Sequence, residues 1–311
     1  MIELSPNDAC PCESGRILRE CCLGAEGDLR PVASVTRCQA PKTGAQTKGC
    51  YAAALADCSA DLSREHFISR GVLKELSDGG TVRIDGFPWQ TDRAIQRLPT
   101  AVLGSNILCR RHNIALSTLD AVALRFFRWI DQFHREFDAD QHDDRFFLVN
   151  GHDIERWMLK TLCGAVFSKN ATINPAGSNW VPPMEWVQIL FGEAQFPVRC
   201  GVYISGNIPD TEFIERGYKF VAFSNGAAGV YGARISMNDE TFVLAMSSPP
   251  EDLENTFLAN HVYRPRGLAL TNGCCEKITQ FGWDDGLVHR GVRMAYEKSH
   301  HAVKPEGVGG S

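Results

Sequence analysis

From Ser117 onward, apolar side chains fall at Leu119, Val122, Leu124, Phe126, Phe127, Ile130 and Phe133, with polar residues between them. Steps of three and four place these on one stripe, so the stretch predicts a long amphipathic helix, closed by the acidic turn Asp138 to Asp144. Upstream, Gly71 to Leu76 reads as a short helix, and the alternation from Thr81 to Trp89 suits a strand of a hairpin. The second half opens with a strand-like run, Arg145 to Asn150, and a helix from Asp153 to Cys163. Pro182-Pro183 can set the first turn of a further helix, Met184 to Leu190. Apolar β-like runs follow at Arg199 to Ile204, Tyr218 to Phe223, Val230 to Met237, Thr241 to Met246 and Gly267 to Leu270, with a tight-turn signal at Asn238-Asp-Glu240. The pattern predicts an α+β chain in which an antiparallel meander is flanked by helices, without internal repeats.

With 311 residues, 44% hydrophobic and 22% charged, the chain has an ordinary globular composition. No apolar run approaches the roughly 20 residues that a membrane span needs, and Met-Ile-Glu-Leu-Ser-Pro-Asn-Asp lacks the basic start and apolar core of an export signal, so a cytoplasmic location is expected. A net charge of -5 argues against coating nucleic acid through global electrostatics. Between Leu62 and Glu136, however, basic residues outnumber acids and are nearly all arginine, among them Arg64, Arg70, Arg110 and Arg111. Arginine forks suit phosphates, although the same residues also serve as solvated helix faces and salt bridges.

Twelve cysteines without an export signal favour metal over disulfides, and eight of them lie in the first 109 residues. Cys10-Pro-Cys12 is followed after eight residues by Cys21-Cys22, in a segment too short to hold itself by apolar burial. Four thiolates there predict one zinc ion, contributing on the order of 10 kcal/mol. The segment resembles the SEC-C motif, with Glu13 where a glycine is usual, and the resemblance implies a docking module for a protein partner. A polar stretch from Gly27 to Lys48 reads as a linker or long loop.

A second constellation is split along the chain: Cys50 and Cys58, then Glu65-His66, answered by Asn106, Cys109-x2-His112 and Asn113. One tetrahedral zinc on Cys50, Cys58, Cys109 and His112 would tie a hairpin to a helix. Cys38 competes with Cys50 for this role; spacing leaves both open, and the compact loop to Cys58 favours Cys50. His66 and Asn113 then stand free, an imidazole at a strand end facing an amide at a helix start, as in a one-metal nuclease centre. These residues resemble the HNH nuclease family, whose ββα core keeps a histidine after Asp or Glu and a second His or Asn directly after the last zinc ligand. The resemblance implies His66 as general base, Asn113 as ligand of a catalytic divalent ion such as magnesium, and Glu65 as further ligand or orienting carboxylate. Asn106 is the nearest counterpart of the family's loop asparagine. Nucleic acid, DNA first, would be the substrate, with Arg64, Arg70, Arg110 and Arg111 as phosphate contacts, in a setting such as phage defence or a mobile element. The rival class is a catalytically silent adaptor whose two zinc ions organise protein-binding surfaces. The organisation expected is a zinc knuckle (1–30), a zinc-braced ββα HNH-like module with the long helix (31–140), a mixed C-terminal domain with antiparallel sheet and flanking helices (141–298), and a loose tail (299–311).

Overall fold

The computed structural model describes residues 4–25, 29, 34, 40–87, 89–90, 95–171, 179–205, 217–224, 229–237, 240–247, 257 and 260–296. Cys38, the Asn238-Asp239 turn and the tail from 299 lie outside the described residues.

The first half runs β1 (Leu62–His66), α1 (Arg70–Leu76), β2 (Thr81–Asp85), β3 (Gln96–Pro99), β4 (Gly104–Cys109) and α2 (Arg110–Asp138). The second half continues with β5 (Arg145–Asn150), α3 (Gly151–Phe167), α4 (Met184–Leu190), β6 (Gly201–Ser205), β7 (Gly217–Ser224), β8 (Val230–Met237) and β9 (Glu240–Ala245). Last come β10 (His261–Tyr263), β11 (Gly267–Thr271), β12 (Glu276–Gly282) and β13 (Val292–Ala295). The chain is thus mixed α+β, as its pattern predicts.

The long helix follows from its stripe: Leu116, Leu119, Val122, Ala123, Phe126, Phe127, Ile130, Phe133 and Phe137 are all buried, while Ser117, Thr118, Arg128, Gln132 and Arg135 face water. It starts earlier than the apolar pattern, at Arg110, because the Cys109 sulfur accepts the His112 backbone N–H as an N-cap. Directly before it, β4 pairs antiparallel with β1, Arg64 opposite Asn106 and His66 opposite Gly104. Gly104 is small for a local reason: a Cβ there would lie 2.9 Å from Arg64 Nε, whose side chain crosses that spot to reach the Ala101 carbonyl.

The remaining strands form a seven-stranded sheet, β10-β6-β9-β8-β7-β2-β3, and a four-stranded sheet, β13-β11-β12-β5. The antiparallel meander is present from β7 through β8 and β9 to β6 and β10. β11, expected in the same meander, instead lies in the mixed four-stranded sheet, antiparallel to β12 and parallel to β13. β2 pairs in parallel with β7, so one sheet crosses the boundary expected at residue 140, and one apolar core unites Leu73, Leu116, Phe126, Trp157, Leu162 and Phe242 across it. α3 is the core's central helix: every residue from Gly151 to Val166 is buried, including Asp153, Glu155, Arg156 and Lys160. Such charges are tolerable only when paired. Arg156 donates to Asp153 and to Ser34, and Arg264 forks onto Glu155.

The N-terminal knuckle is fastened to this body. Leu18 and the buried thiols pack on Leu148 of β5, and the Leu148 N–H donates to the Pro11 carbonyl at 3.1 Å. β5 is an edge strand, so the knuckle pairs a backbone group on its outer edge that the sheet leaves free. Glu13 adopts φ 57°, a left-handed conformation that glycine takes without strain.

Candidate metal centres and hairpin–helix site

Two clusters bring four potential ligand atoms within 4.8 Å of one another: Cys10, Cys12, Cys21 and Cys22 in the knuckle, and Cys50, Cys58, Cys109 and His112 in the core. Tetrahedral zinc, with Zn–S about 2.3 Å and Zn–N about 2.0 Å, separates sulfur from nitrogen by about 3.5 Å and two sulfurs by about 3.8 Å. In the core, His112 Nδ1 lies 3.4 Å from Cys50 Sγ, 3.7 Å from Cys58 Sγ and 3.3 Å from Cys109 Sγ. In the knuckle, Cys21 Sγ lies 3.5 Å from Cys12 Sγ and 3.6 Å from Cys22 Sγ. Both sets therefore have the shape of a four-coordinate metal site. Of Cys38 and Cys50, the core set contains Cys50.

Electrostatics divide the ligand atoms within each cluster. Burial holds the His112 imidazole below its usual value, opposed by Asp57 and helped by Arg111, which leaves a neutral ring able to ligate. Burial pushes the Cys50 and Cys58 thiols up. Burial acts the same way on Cys109, but hydrogen bonds from His112 and Ser59 prevail and lower it. In the knuckle, hydrogen bonding from Cys22 first of all draws Cys12 down to about 4, while burial lifts Cys10 to about 11. Arg16 and Ser14 contact Cys21 Sγ at 3.2 and 3.1 Å, placing a cation and a hydroxyl beside the cluster's least buried sulfur. Substituting Cys21 with serine is expected to release one metal ion per chain and raise amide exchange at 146–149, leaving the core ion in place; elemental analysis and hydrogen exchange read both.

The hairpin β1–β4 runs straight into α2, with the core cluster bracing their junction. Asn113 Nδ2 donates to Ser63 Oγ at 2.9 Å and to the Arg64 carbonyl at 3.2 Å, pinning the helix to β1 and leaving Oδ1 without a donor among the described residues. His66, the last residue of β1, is half-buried. Burial lowers its pKa, and Arg70, Arg64 and Lys160 lower it further against the pull of Asp120, so the ring is neutral and able to accept a proton at neutral pH. Asn106 is exposed on β4 opposite Arg64, a cross-strand diagonal from His66.

Glu65 stands elsewhere. Strand neighbours point to opposite sides, so with His66 at the rim Glu65 turns into the core, where it ion-pairs with Lys160 of α3. The same ammonium meets both oxygens of Asp120 at 2.7 Å. Burial raises the Glu65 pKa, opposed by Lys160; for Lys160 burial is outweighed by Asp120 and Glu65, and its pKa rises. The ligand role expected for Glu65 is therefore replaced here by an ion pair.

The arginines divide as well. Arg64, Arg70 and Arg110 are exposed, but Arg111 Nε lies 2.9 Å from Asp57 Oδ1 and its Nη2 donates to the Pro41 carbonyl at 2.8 Å. Arg111 clamps the loop that carries Cys58, so its guanidinium is engaged within the chain. Asp120 and Lys160 escaped the sequence reading, although both left a trace: Asp120 falls two helical turns after Asn113 on the same face, and Lys160 interrupts the apolar run from Trp157 to Cys163.

No family model, curated relative or solved structure matches the chain. Among the described residues no helix is long and apolar enough to cross a membrane.

Proposed function

We propose that the protein is a metal-dependent phosphodiester hydrolase of the HNH type, acting on nucleic acid and on DNA first, with zinc as the structural ion in both cysteine clusters. The observation that carries this reading is a hairpin running directly into a helix, braced by a Cys3His cluster, with a neutral, half-buried His66 at the end of the strand to which Asn113 pins the helix. His66 would take the proton of a water whose oxygen attacks phosphorus, and the bond from phosphorus to the departing sugar oxygen breaks. A divalent ion such as magnesium, when bound, supplies charge stabilisation to the phosphate and the leaving oxygen. Asn113 Oδ1, which has no donor among the described residues, would be the protein oxygen offered to that ion, and Arg64, Arg70 and Arg110 supply exposed cations for the phosphate backbone. Thiol ligands in this number suit a reducing, cytoplasmic setting, and phage defence or a mobile element fits a compact nuclease of this kind.

A second reading, a catalytically silent adaptor, draws on the pairing of Glu65 with Lys160 and on the packing of the knuckle against β5, which leaves its outer face for a protein partner. The test incubates zinc-replete protein with supercoiled plasmid DNA and with structured RNA, in magnesium, manganese or nickel. Cleavage in at least one arm is expected. Folded, zinc-replete protein that cleaves neither nucleic acid with any of the three ions moves the assignment to the adaptor.

A further inference from the structure

At the end of β2, Gly86 turns the chain with φ 89°, so close to β7 that a Cβ there would lie 2.2 Å from the Phe220 carbonyl oxygen. The turn lays Phe87 on Phe220, ring centroids 5.4 Å apart, and sets it edge-on to Phe67 at 5.9 Å. Phe67 directly follows His66, so the ends of β1 and β2 meet at this pair of buried rings. Trp89 stacks in turn on Phe87, centroids 5.4 Å apart with 18° between the planes. Phe87 is 3% exposed and Trp89 38%, so the indole caps a stack of core rings and is itself open to water. Its turn is fastened at three points. The Gln90 N–H donates to the Phe87 carbonyl at 3.0 Å, the Phe87 N–H to Gln90 Oε1 at 2.8 Å, and Gln90 Nε2 to the Ile84 carbonyl at 2.7 Å. An aromatic ring already held in place loses little conformational freedom when a flat partner settles on it.

Charge narrows the partner. Arg64 and Arg70, on either side of His66 in the chain, are exposed cations, whereas a net charge of -5 offers phosphate little general attraction. A ligand that brings phosphates to the arginines and a flat π-face to the indole is a nucleotide strand with an unpaired base. Inside a duplex the faces of each base are covered by its stacked neighbours. We propose that Trp89 is a base-stacking residue and that the meeting ends of β1 and β2 receive single-stranded nucleic acid, one base on the indole and the backbone led past Arg64 and Arg70 toward His66. The proposal rests on the hydrolase reading for its purpose and narrows the substrate of that reading to strands with unpaired bases. Stacking is indifferent to sequence, because every base has a π-face, so it adds affinity that the few exposed arginines do not supply.

The test reads binding without cleavage. Full-length, zinc-replete protein, with no other divalent ion added, is titrated into fluorescein-labelled oligothymidylate and into a duplex of the same length, and anisotropy is followed. Trp89→Ala should weaken single-strand binding at least about fivefold, equivalent to about 1 kcal/mol, and change duplex binding by less than about twofold. The slope of affinity against salt should stay as in the wild type, since no charge is removed, whereas Arg70→Ala should lower it. Trp89→Phe keeps a π-face and should recover most of the loss. Trp89→Leu still covers Phe87 but has no π-face, so it should lose as much as Trp89→Ala, and it decides if that variant does not fold. Unchanged single-strand affinity in folded Trp89→Ala or Trp89→Leu overturns the proposal, as does an equal loss on the duplex or a wild type that binds no single strand. Trp89-dependent binding in a protein that cleaves no nucleic acid would sustain the stacking site while removing the hydrolase reading; cleavage by the wild type with Trp89-independent binding would do the reverse.

Discussion

Replacing Cys109 with serine is expected to unfold the body of the protein. Its sulfur belongs to the core cluster and also caps α2, so one change removes a metal ligand and the first-turn acceptor of the helix that organises the core. A structural zinc site contributes on the order of 10 kcal/mol, comparable to the roughly 5–15 kcal/mol by which whole domains are stable. Even a loss of about 5 kcal/mol would lower the melting temperature by roughly 10–20 °C in a chain of this size. The variant should lose one zinc per chain and appear in the insoluble fraction, as read by elemental analysis and thermal unfolding. Cys274→Ser is the control, since that thiol is exposed and outside both clusters, and it should change neither quantity. Wild-type zinc content and melting temperature in Cys109→Ser would mean that the core cluster does not hold the fold together.

The second large effect is chemical. His66→Ala should lower cleavage by at least about a hundredfold, the usual contribution of a general base, while zinc content and melting temperature stay within error of wild type. Stability is expected to survive because His66 is a half-buried strand end, whereas Glu65 beside it is locked into the core. Asn113→Ala makes the contrasting case. Its amide pins α2 to β1, so that change should cost both activity and stability. Undiminished cleavage in His66→Ala would remove the base from the scheme, and with it the reason for assigning hydrolysis to this hairpin.

How far the primary structure reaches can be judged residue by residue. Both metal clusters were legible, because ligands close in sequence must be close in space: Cys10-x-Cys12 with Cys21-Cys22, and Cys109-x2-His112 with the Cys50 to Cys58 loop. The buried stripe of α2 was legible too, since helical periodicity states which side chains share a face. Periodicity does not state what that face meets. β11 was recognisable as an apolar run and β12 was not singled out; their sheet depends on β5, which pairs in parallel with β12 only once α3 and the intervening chain have crossed over. The sheet that crosses residue 140 was hidden for the same reason: β2 has an ordinary alternating pattern, and its pairing with β7 is a long-range event without local signature. Charged residues show the limit most clearly. By itself the sequence determined where the thiols, the helix stripe and the pair Glu65-His66 lie. Tertiary structure alone decided that Glu65 turns inward to Lys160, that Arg111 closes on Asp57, and that Asp120 completes a buried charge cluster. A charge removed from water must find an opposite charge wherever the fold supplies one, and that partner is chosen in space, with no constraint on its distance along the chain.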